Sequence, residues 1–127
     1  MDLGSKQRVD RVSVGLLKDI GAWIAFPQGV AVWASNAEVD PTTLASQDFE
    51  TVSKSVRSAW SWSTDLRATA KTDESPLTNT VTFDAPQPKK ARFLYLKFTN
   101  AGPLPEWHPG AGGQTFFFVD EVSVRTK

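Results

Sequence analysis

The chain has 127 residues, the length of a single domain, and at this size folding buries roughly 65% of the unfolded surface. It has no cysteine, which excludes disulfides and thiolate metal sites, and its 14 basic and 14 acidic residues cancel. We find neither a basic stripe for nucleic acid nor an apolar stretch of the roughly 20 residues that would insert into a membrane.

The first half of the chain alternates between strand-like and polar stretches. Residues 9–16 (VDRVSVGL) and 29–35 (GVAVWAS) alternate in hydropathy and predict two strands. Glycine and proline interrupt residues 18–28, which we predict as a loop, and residues 36–47 predict a polar connection. Residues 49–56 (FETVSKSV) alternate less strongly and predict a third strand.

The second half begins with a polar region and continues into clear strands. Residues 68–78 are polar and predict a mobile segment. Residues 79–83 (NTVTF) predict a short strand, and residues 84–90 predict a proline-rich turn. Residues 91–99 (ARFLYLKFT) form the clearest strand pattern in the chain.

The last quarter combines a loop with a terminal strand. Residues 103–113 hold three prolines, three tightly spaced glycines, one tryptophan and the only histidine. Because proline fixes φ and glycine permits positive φ, this stretch predicts a shaped loop. Residues 114–124 are rich in aromatic and β-branched residues and predict a strand.

The sequence therefore predicts one domain, residues 1–127, with six or seven strands and no helix, which indicates an all-β sandwich or barrel. The strand faces follow from the period of two. In the strand of residues 29–35, one face is predicted to hold Val30, Val32 and Ala34, and the other Ala31 and Trp33. In the strand of residues 91–99, one face is predicted to hold Leu94, Leu96 and Phe98, and the other Phe93 and Tyr95. Trp33, between two alanines, is expected in the core.

An ordered set of four segments carries a family resemblance. These are residues 2–4 (DLG), 9–23 (VDRVSVGLLKDIGAW), 91–97 (ARFLYLK) and 105–122 (PEWHPGAGGQTFFFVDEV). Together they resemble the factor 5/8 type C, or discoidin-like and galactose-binding-like, domain. Within that group the chain is similar to the C-terminal module of bacterial β-N-acetylhexosaminidases of the chitobiase type.

The resemblance implies a jelly-roll β-sandwich with a non-catalytic carbohydrate-binding role beside a glycoside hydrolase domain. Asp2 directly follows Met1 here, whereas a strand and a loop precede this motif in the family, so we expect a domain that lacks the family's N-terminal strand. No cofactor is required. Some family members bind a structural calcium through that N-terminal loop and a glutamate of the last strand. Glu121 lies at the position of that glutamate, so the resemblance implies it as a possible calcium ligand.

The strongest binding candidates lie in the loop of residues 103–113. A sugar site needs a flat aromatic surface for C–H groups and polar groups for hydroxyls, and Trp107 with His108 supplies both. The alternative is structural: Trp107 plugs the end of the sandwich, and His108 braces the loop's own carbonyls. Both interpretations remain open from the sequence.

Further candidates are the other tryptophans and two charged residues. Trp23 and Asp19 follow the first strand and could line the same end as Trp107. Trp60 and Trp62 lie two residues apart among serines, which favours either a rim position that touches ligand or one tryptophan face in the core. Arg57 could donate to hydroxyls or be a solvated side chain.

Catalysis is the weaker class of function. Asp120 and Glu121 are adjacent on a predicted strand, so we expect their carboxylates on opposite faces, unable to act as a glycosidase pair. One histidine and no cysteine exclude a thiol nucleophile and a histidine-cluster metal site.

The sequence thus predicts a non-catalytic module that binds an N-acetylhexosamine-type or galactose-type glycan through loop aromatics and is attached to a hydrolase domain. The alternative is a docking module that packs on the catalytic domain without binding sugar. The chain has no signal-peptide pattern of its own, and as part of a larger bacterial protein it is expected to be periplasmic, outer-membrane-associated or secreted.

Overall fold

The computed structural model describes residues 1–56, 58, 60–71 and 76–126. Antiparallel strands dominate them, so the predicted all-β class is confirmed. The strands are β1 (Asp2–Lys18), β2 (Gly29–Ser35), β3 (Trp60–Asp65), β4 (Leu77–Asp84), β5 (Lys90–Thr99) and β6 (Phe118–Thr126). Two short helices, α1 (Pro41–Ser46) and α2 (Phe49–Ser55), and a 3-10 turn, Ile20–Ala22, complete the elements.

The long strand β1 belongs to two sheets. Its first residues pair with β5, for example Asp2 with Phe93, and complete a four-stranded sheet in the order β3–β2–β5–β1. From Val9 onward it pairs with β6 on one side, and from Arg11 also with β4 on the other, forming a three-stranded sheet in the order β4–β1–β6. The two sheets pack against each other as a sandwich.

The core between the sheets is built from one face of each strand. Strand alternation places apolar side chains of both sheets inward, where they form a single cluster. Its buried members are Val9, Val12, Val14, Leu16, Phe26, Val30, Val32, Ala34, Trp60, Ala70, Val81, Phe83, Ala91 and Leu94. Leu96, Phe98 and the β6 valines pack against it, so the residues predicted to share one face of β2 and of β5 do share it, and this face points inward.

A second cluster lies on the outer side of the four-stranded sheet, beneath the helices. Trp33 and Tyr95, from the opposite faces of β2 and β5, pack there against Leu44 of α1 and Val52 of α2. The indole N–H of Trp33 donates to Ser53 Oγ at 2.9 Å, which satisfies its polar atom. Both faces of β2 are therefore buried, and Trp33 lies in the core as predicted.

The predicted strand over residues 49–56 is wrong, because this segment forms α2. Asp48 caps the helix by accepting from the Thr51 N–H at 2.7 Å, and Phe49, Val52 and Val56 fall on one helical face. The polar connection predicted for residues 36–47 likewise contains α1, which Asp40 caps. Cap residues and a helical period therefore outweighed a weak alternation.

Strand limits also differ from the prediction. β1 extends from residue 2 to residue 18 rather than 9–16, because Asp2 and its neighbours pair with β5. β6 begins at Phe118 rather than at residue 114, since residues 114–117 lie in isolated bridges and loop.

Among the described residues, no helix is long and apolar enough to cross a bilayer.

Replacing Trp33 with alanine tests the helix-covered cluster. Trp33 is fully buried, so the substitution is expected to lower the free energy of unfolding by about 3–5 kcal/mol through the cavity it leaves. Urea unfolding followed by far-UV circular dichroism measures this. Leu77→Ala, at a half-exposed apolar position, is the control and should change stability by less than about 0.5 kcal/mol. A comparable small effect for Trp33→Ala would contradict the packing described.

The helix caps predict a loss of stability in acid. Backbone N–H groups of Thr42 and Thr51 lower the pKa of Asp40 and Asp48 below the usual value. A lowered native pKa stabilises the fold above the unfolded pKa of about 3.9, and that contribution is lost as the pH falls through the native value. The free energy of unfolding should therefore decrease with falling pH in this range.

The double variant Asp40→Asn, Asp48→Asn separates capping from titration. Asparagine still caps a helix but carries no titratable proton, so the helices should persist and the acid slope should become shallower. Part of the slope should remain, because Arg92 and Arg67 lower the pKa of Asp2 and Asp65. An unchanged slope in the double variant would show that the caps do not contribute to it.

Candidate functional site

The turn after β1 holds Trp23 in an unusual backbone conformation. Asp19 and Ile24 close the turn through two backbone hydrogen bonds of 2.8 and 2.9 Å, around the 3-10 turn at Ile20. Trp23 ends that turn with a φ of 67°, the only positive φ of a non-glycine residue in the described part of the chain. Left-handed backbone is costly for a bulky residue, so the surrounding contacts must hold it there.

The loop of residues 103–113 is closed by its own backbone. Leu104 N–H donates to Gly113 O at 2.7 Å, and Pro103 forms a bridge with Gln114. Inside the loop, the N–H of Ala111 donates to His108 O and that of His108 to Pro105 O, both at 3.0 Å. The side chain of Leu104 is buried in a small cluster with Ile20 and Ala25. The loop is therefore tied both to itself and to the turn after β1.

His108 joins the loop to that turn. Its side chain is buried, its Nε2 lies 2.8 Å from Ile20 O, and its Nδ1 accepts from the Gly110 N–H at 2.9 Å. An accepting Nδ1 assigns the ring proton of a neutral imidazole to Nε2, which donates to the carbonyl. Both ring nitrogens are thus used by backbone groups, so His108 has a bracing role, although the carbonyl it contacts belongs to the turn after β1 and not to the loop itself.

Trp23 and Trp107 both lie near this imidazole. Their ring centres lie 6.2 and 6.1 Å from that of His108, and the two side chains are 40% and 49% exposed. The Trp23 indole also lies over Gly110, where an added Cβ would stand 2.7 Å from its ring, so only glycine allows this approach. Both indoles are therefore partly exposed beside the imidazole, and the close approach to glycine holds that of Trp23.

Phe116 completes this end of the sandwich and was missed by the sequence reasoning. Its N–H donates to Trp23 O at 2.8 Å, and its side chain is 63% exposed. Three consecutive phenylalanines at residues 116–118 could have signalled it, because alternation cannot bury all three. We call Trp23, Trp107 and Phe116 the aromatic end. Asp19 lies in the same turn as Trp23, and its carboxylate does not cap the 3-10 turn.

Trp60 and Trp62 do not join the aromatic end. They share one face of β3, and that face points into the core, where Trp62 packs on Phe83 with ring centres 4.4 Å apart. Trp60 pairs with Ala34, at the far end of β2 from the loop of residues 103–113. The structural alternative therefore describes this pair, and a rim position for Trp60 is wrong. Arg57 lies outside the described residues.

Asp120 and Glu121 do not face opposite sides, which corrects the sequence prediction. Gly15 pairs with Glu121 and Leu16 with Val119, so Asp120 is the extra residue of a β-bulge. Both acidic residues line one hollow on the outer side of the three-stranded sheet. Strict alternation predicts opposite faces only where no bulge intervenes.

The calcium site implied for Glu121 does not fit the residues present. Calcium takes six to eight oxygen ligands, usually with several carboxylates. Besides Glu121, Asp120 is the one other carboxylate that lines the hollow. Within residues 1–56, 58, 60–71 and 76–126, no group of three or more acidic or histidine side chains could hold a metal ion.

Comparison with known proteins leaves the site to be interpreted from its geometry. No protein-family model matches the sequence, and no curated protein aligns with it significantly.

Replacing His108 with alanine tests the brace. The substitution leaves the Ile20 carbonyl and the Gly110 N–H without their partner, so the free energy of unfolding should fall by about 1–3 kcal/mol. Amide hydrogen exchange should accelerate in residues 103–113 but not in β2. The matched control is Trp107→Ala, the exposed neighbour, which should change stability by less than about 0.5 kcal/mol. Equal effects of the two substitutions would contradict the bracing role.

Proposed function

We propose that this domain is a non-catalytic carbohydrate-binding module of jelly-roll type, and that the aromatic end binds the glycan. One observation carries the proposal: Trp23 and Trp107 are 40% and 49% exposed, and their ring centres lie 6.2 and 6.1 Å from that of one buried imidazole. An exposed tryptophan does not gain the full free energy of burial, so a fold that keeps two of them exposed near one imidazole favours a binding role.

The chemistry of the aromatic end suits a sugar ring. Indole faces cover the apolar C–H surface of a pyranose, and Phe116 extends the platform. Asp19, in the turn that holds Trp23, supplies a carboxylate that accepts hydrogen bonds from hydroxyls. His108 contributes by position rather than by direct contact, because both of its nitrogens are engaged.

The wider role follows from the family resemblance of the sequence. We propose that the module is part of a bacterial glycoside hydrolase of the β-N-acetylhexosaminidase type and acts in the periplasm, at the outer membrane or outside the cell. A single small-sugar site of this kind binds weakly, with a dissociation constant of about 1 mM. Its benefit is a higher effective concentration of the attached enzyme at the glycan.

We do not propose catalysis by this domain. Asp120 and Glu121 share a face, but they lie on an open sheet surface and both are exposed. A glycosidase pair instead acts from two sides of a bond held in a site that excludes water.

A docking function is the second candidate, and the run of phenylalanines favours it. Phe116, Phe117 and Phe118 are 63%, 38% and 49% exposed. Contiguous exposed aromatics are typical of surfaces that another protein covers. In this case the run would pack against the attached catalytic domain.

A proton–nitrogen NMR titration distinguishes the two candidates. N-acetylglucosamine, galactose and their short oligomers are added while the five indole signals are followed. Carbohydrate binding predicts saturable shifts of the Trp23 and Trp107 signals, with those of buried Trp33 and Trp60 unchanged. Trp107→Ala should weaken binding by roughly tenfold or more, whereas Leu77→Ala should not. No movement of any indole up to tens of millimolar would reject the sugar site and favour docking.

A further inference from the structure

The outer face of the three-stranded sheet presents four cross-strand rows of side chains. Inward residues of β1 are buried in the core, so the alternate residues and their partners on β4 and β6 face outward. The rows, from one end of the face to the other, are Asp84–Arg11–Arg125, Thr82–Ser13–Ser123, Thr80–Gly15–Glu121 and Thr78–Leu17–Phe118. The face thus changes from charged, through hydroxyl and carboxylate, to apolar.

A hollow of about 240 Å³ opens over the hydroxyl and carboxylate rows. Gly15 forms its floor on the central strand, and a Cβ there would overlap the carboxylate of Asp120. The β-bulge at Asp120 turns this carboxylate over the sheet beside that of Glu121. Gly15 has no side chain to fill this position, and the bulge adds Asp120 to the strand. Two carboxylates therefore lie where a regular sheet would place one side chain.

The lining of the hollow is rich in groups that bind hydroxyls. Its side chains contribute hydroxyl groups and two carboxylates, and no basic residue among the described residues lines it. The lining residues are Ser13, Gly15, Thr78, Asn79, Thr80, Asp120, Glu121 and Ser123. Ser123 donates to Glu121 Oε1 at 3.2 Å, which orients that carboxylate.

The cations of the neighbouring row are already engaged. Arg11 contacts Asp84 at 2.6 Å, and Arg125 donates to both carboxylate oxygens of buried Asp10 at 2.8 and 2.9 Å. The charge that faces the hollow is therefore that of Asp120 and Glu121. Such a site repels anions and favours neutral or cationic ligands.

The apolar row adds a platform next to the hollow. Phe118 is 49% exposed and lies beside Leu17, its partner on β1. An aromatic ring next to clustered hydroxyls and carboxylates is the combination that covers the C–H face of a sugar and binds its hydroxyls. Because all of these side chains project from paired strands, their relative positions are well fixed.

We propose that this hollow is a second ligand site, which takes a neutral or amino-sugar residue of a glycan. The ligand's hydroxyl or ammonium groups donate to Asp120 and Glu121, Ser and Thr hydroxyls complete the hydrogen bonding, and Phe118 covers its apolar face. The site shares no residue with the aromatic end, so the inference does not rest on the function proposed there. Two sites on different faces would let the domain contact two segments of one glycan.

The test is a proton–nitrogen NMR titration of the whole chain with three trisaccharides: one of glucosamine, one of N-acetylglucosamine and one of galacturonate. The first two should shift the backbone amides of Ser13, Gly15 and Ser123 saturably, and the galacturonate trimer should not. The glucosamine trimer should bind more weakly as the salt concentration rises, because its ammonium groups face two carboxylates.

Three variants complete the test. Glu121→Gln removes one charged acceptor, and Gly15→Ala displaces the exposed carboxylate of Asp120 without touching the core, so each should weaken binding by roughly tenfold. Thr99→Ala, at an exposed position of the four-stranded sheet and outside the hollow, is the matched control and should leave binding unchanged.

Two results would overturn the proposal. The first is the absence of saturable shifts on this face with any trimer up to tens of millimolar. The second is wild-type binding in both Glu121→Gln and Gly15→Ala. Trp107→Ala distinguishes the two sites, because it should abolish shifts at the aromatic end and leave those of the hollow intact.

Discussion

The passage of β1 from one sheet to the other is the constraint on which the rest of the structure depends. Its inward residues Val12, Val14 and Leu16 are fully buried, and each pairs with β4 on one side and β6 on the other. A slip of one residue would turn all three toward solvent. The register of the whole three-stranded sheet is therefore set by the hydrophobic pattern of one strand. The same strand also fixes where both candidate sites lie, because it ends at the turn that carries Trp23 and contributes Gly15 to the hollow.

Much of the sheet architecture could be predicted because local pattern and burial agree there. The two faces of β2 and β5 followed from alternation, although one face meets the other sheet and the opposite face meets helices. The sequence could not show which layer covers which face, since that depends on pairing between distant segments. At residues 49–56, β-branched residues gave a weak strand pattern, while Asp48 and the spacing of Phe49, Val52 and Val56 favoured a helix. Here the cap and the helical spacing, rather than residue composition, gave the better local signal.

The candidate site was only partly predictable for related physical reasons. Trp60 and Trp62 stand among serines and looked exposed, yet pairing with β2 turns their face into the core. Trp23 and Trp107 stand among glycines and prolines, which correctly indicated turns but could not indicate that both approach one imidazole. The side of the sheet that Asp120 faces was hidden as well, because a bulge is a property of a strand pair and not of one strand.

His108 shows how a residue with binding chemistry can have a structural role instead. Its two nitrogens connect the turn after β1 to the loop of residues 103–113. His108 and Ile20, which this link joins, are 88 residues apart in the sequence. Without that link, the indoles of Trp23 and Trp107 would move with separate segments, and ordering them on a ligand would cost conformational entropy. With the link, both indoles are ordered during folding, so a ligand of the kind proposed for the aromatic end would not have to order them on binding. The buried imidazole is therefore better understood as a positioning group, which holds together the turn and the loop that carry the two indoles.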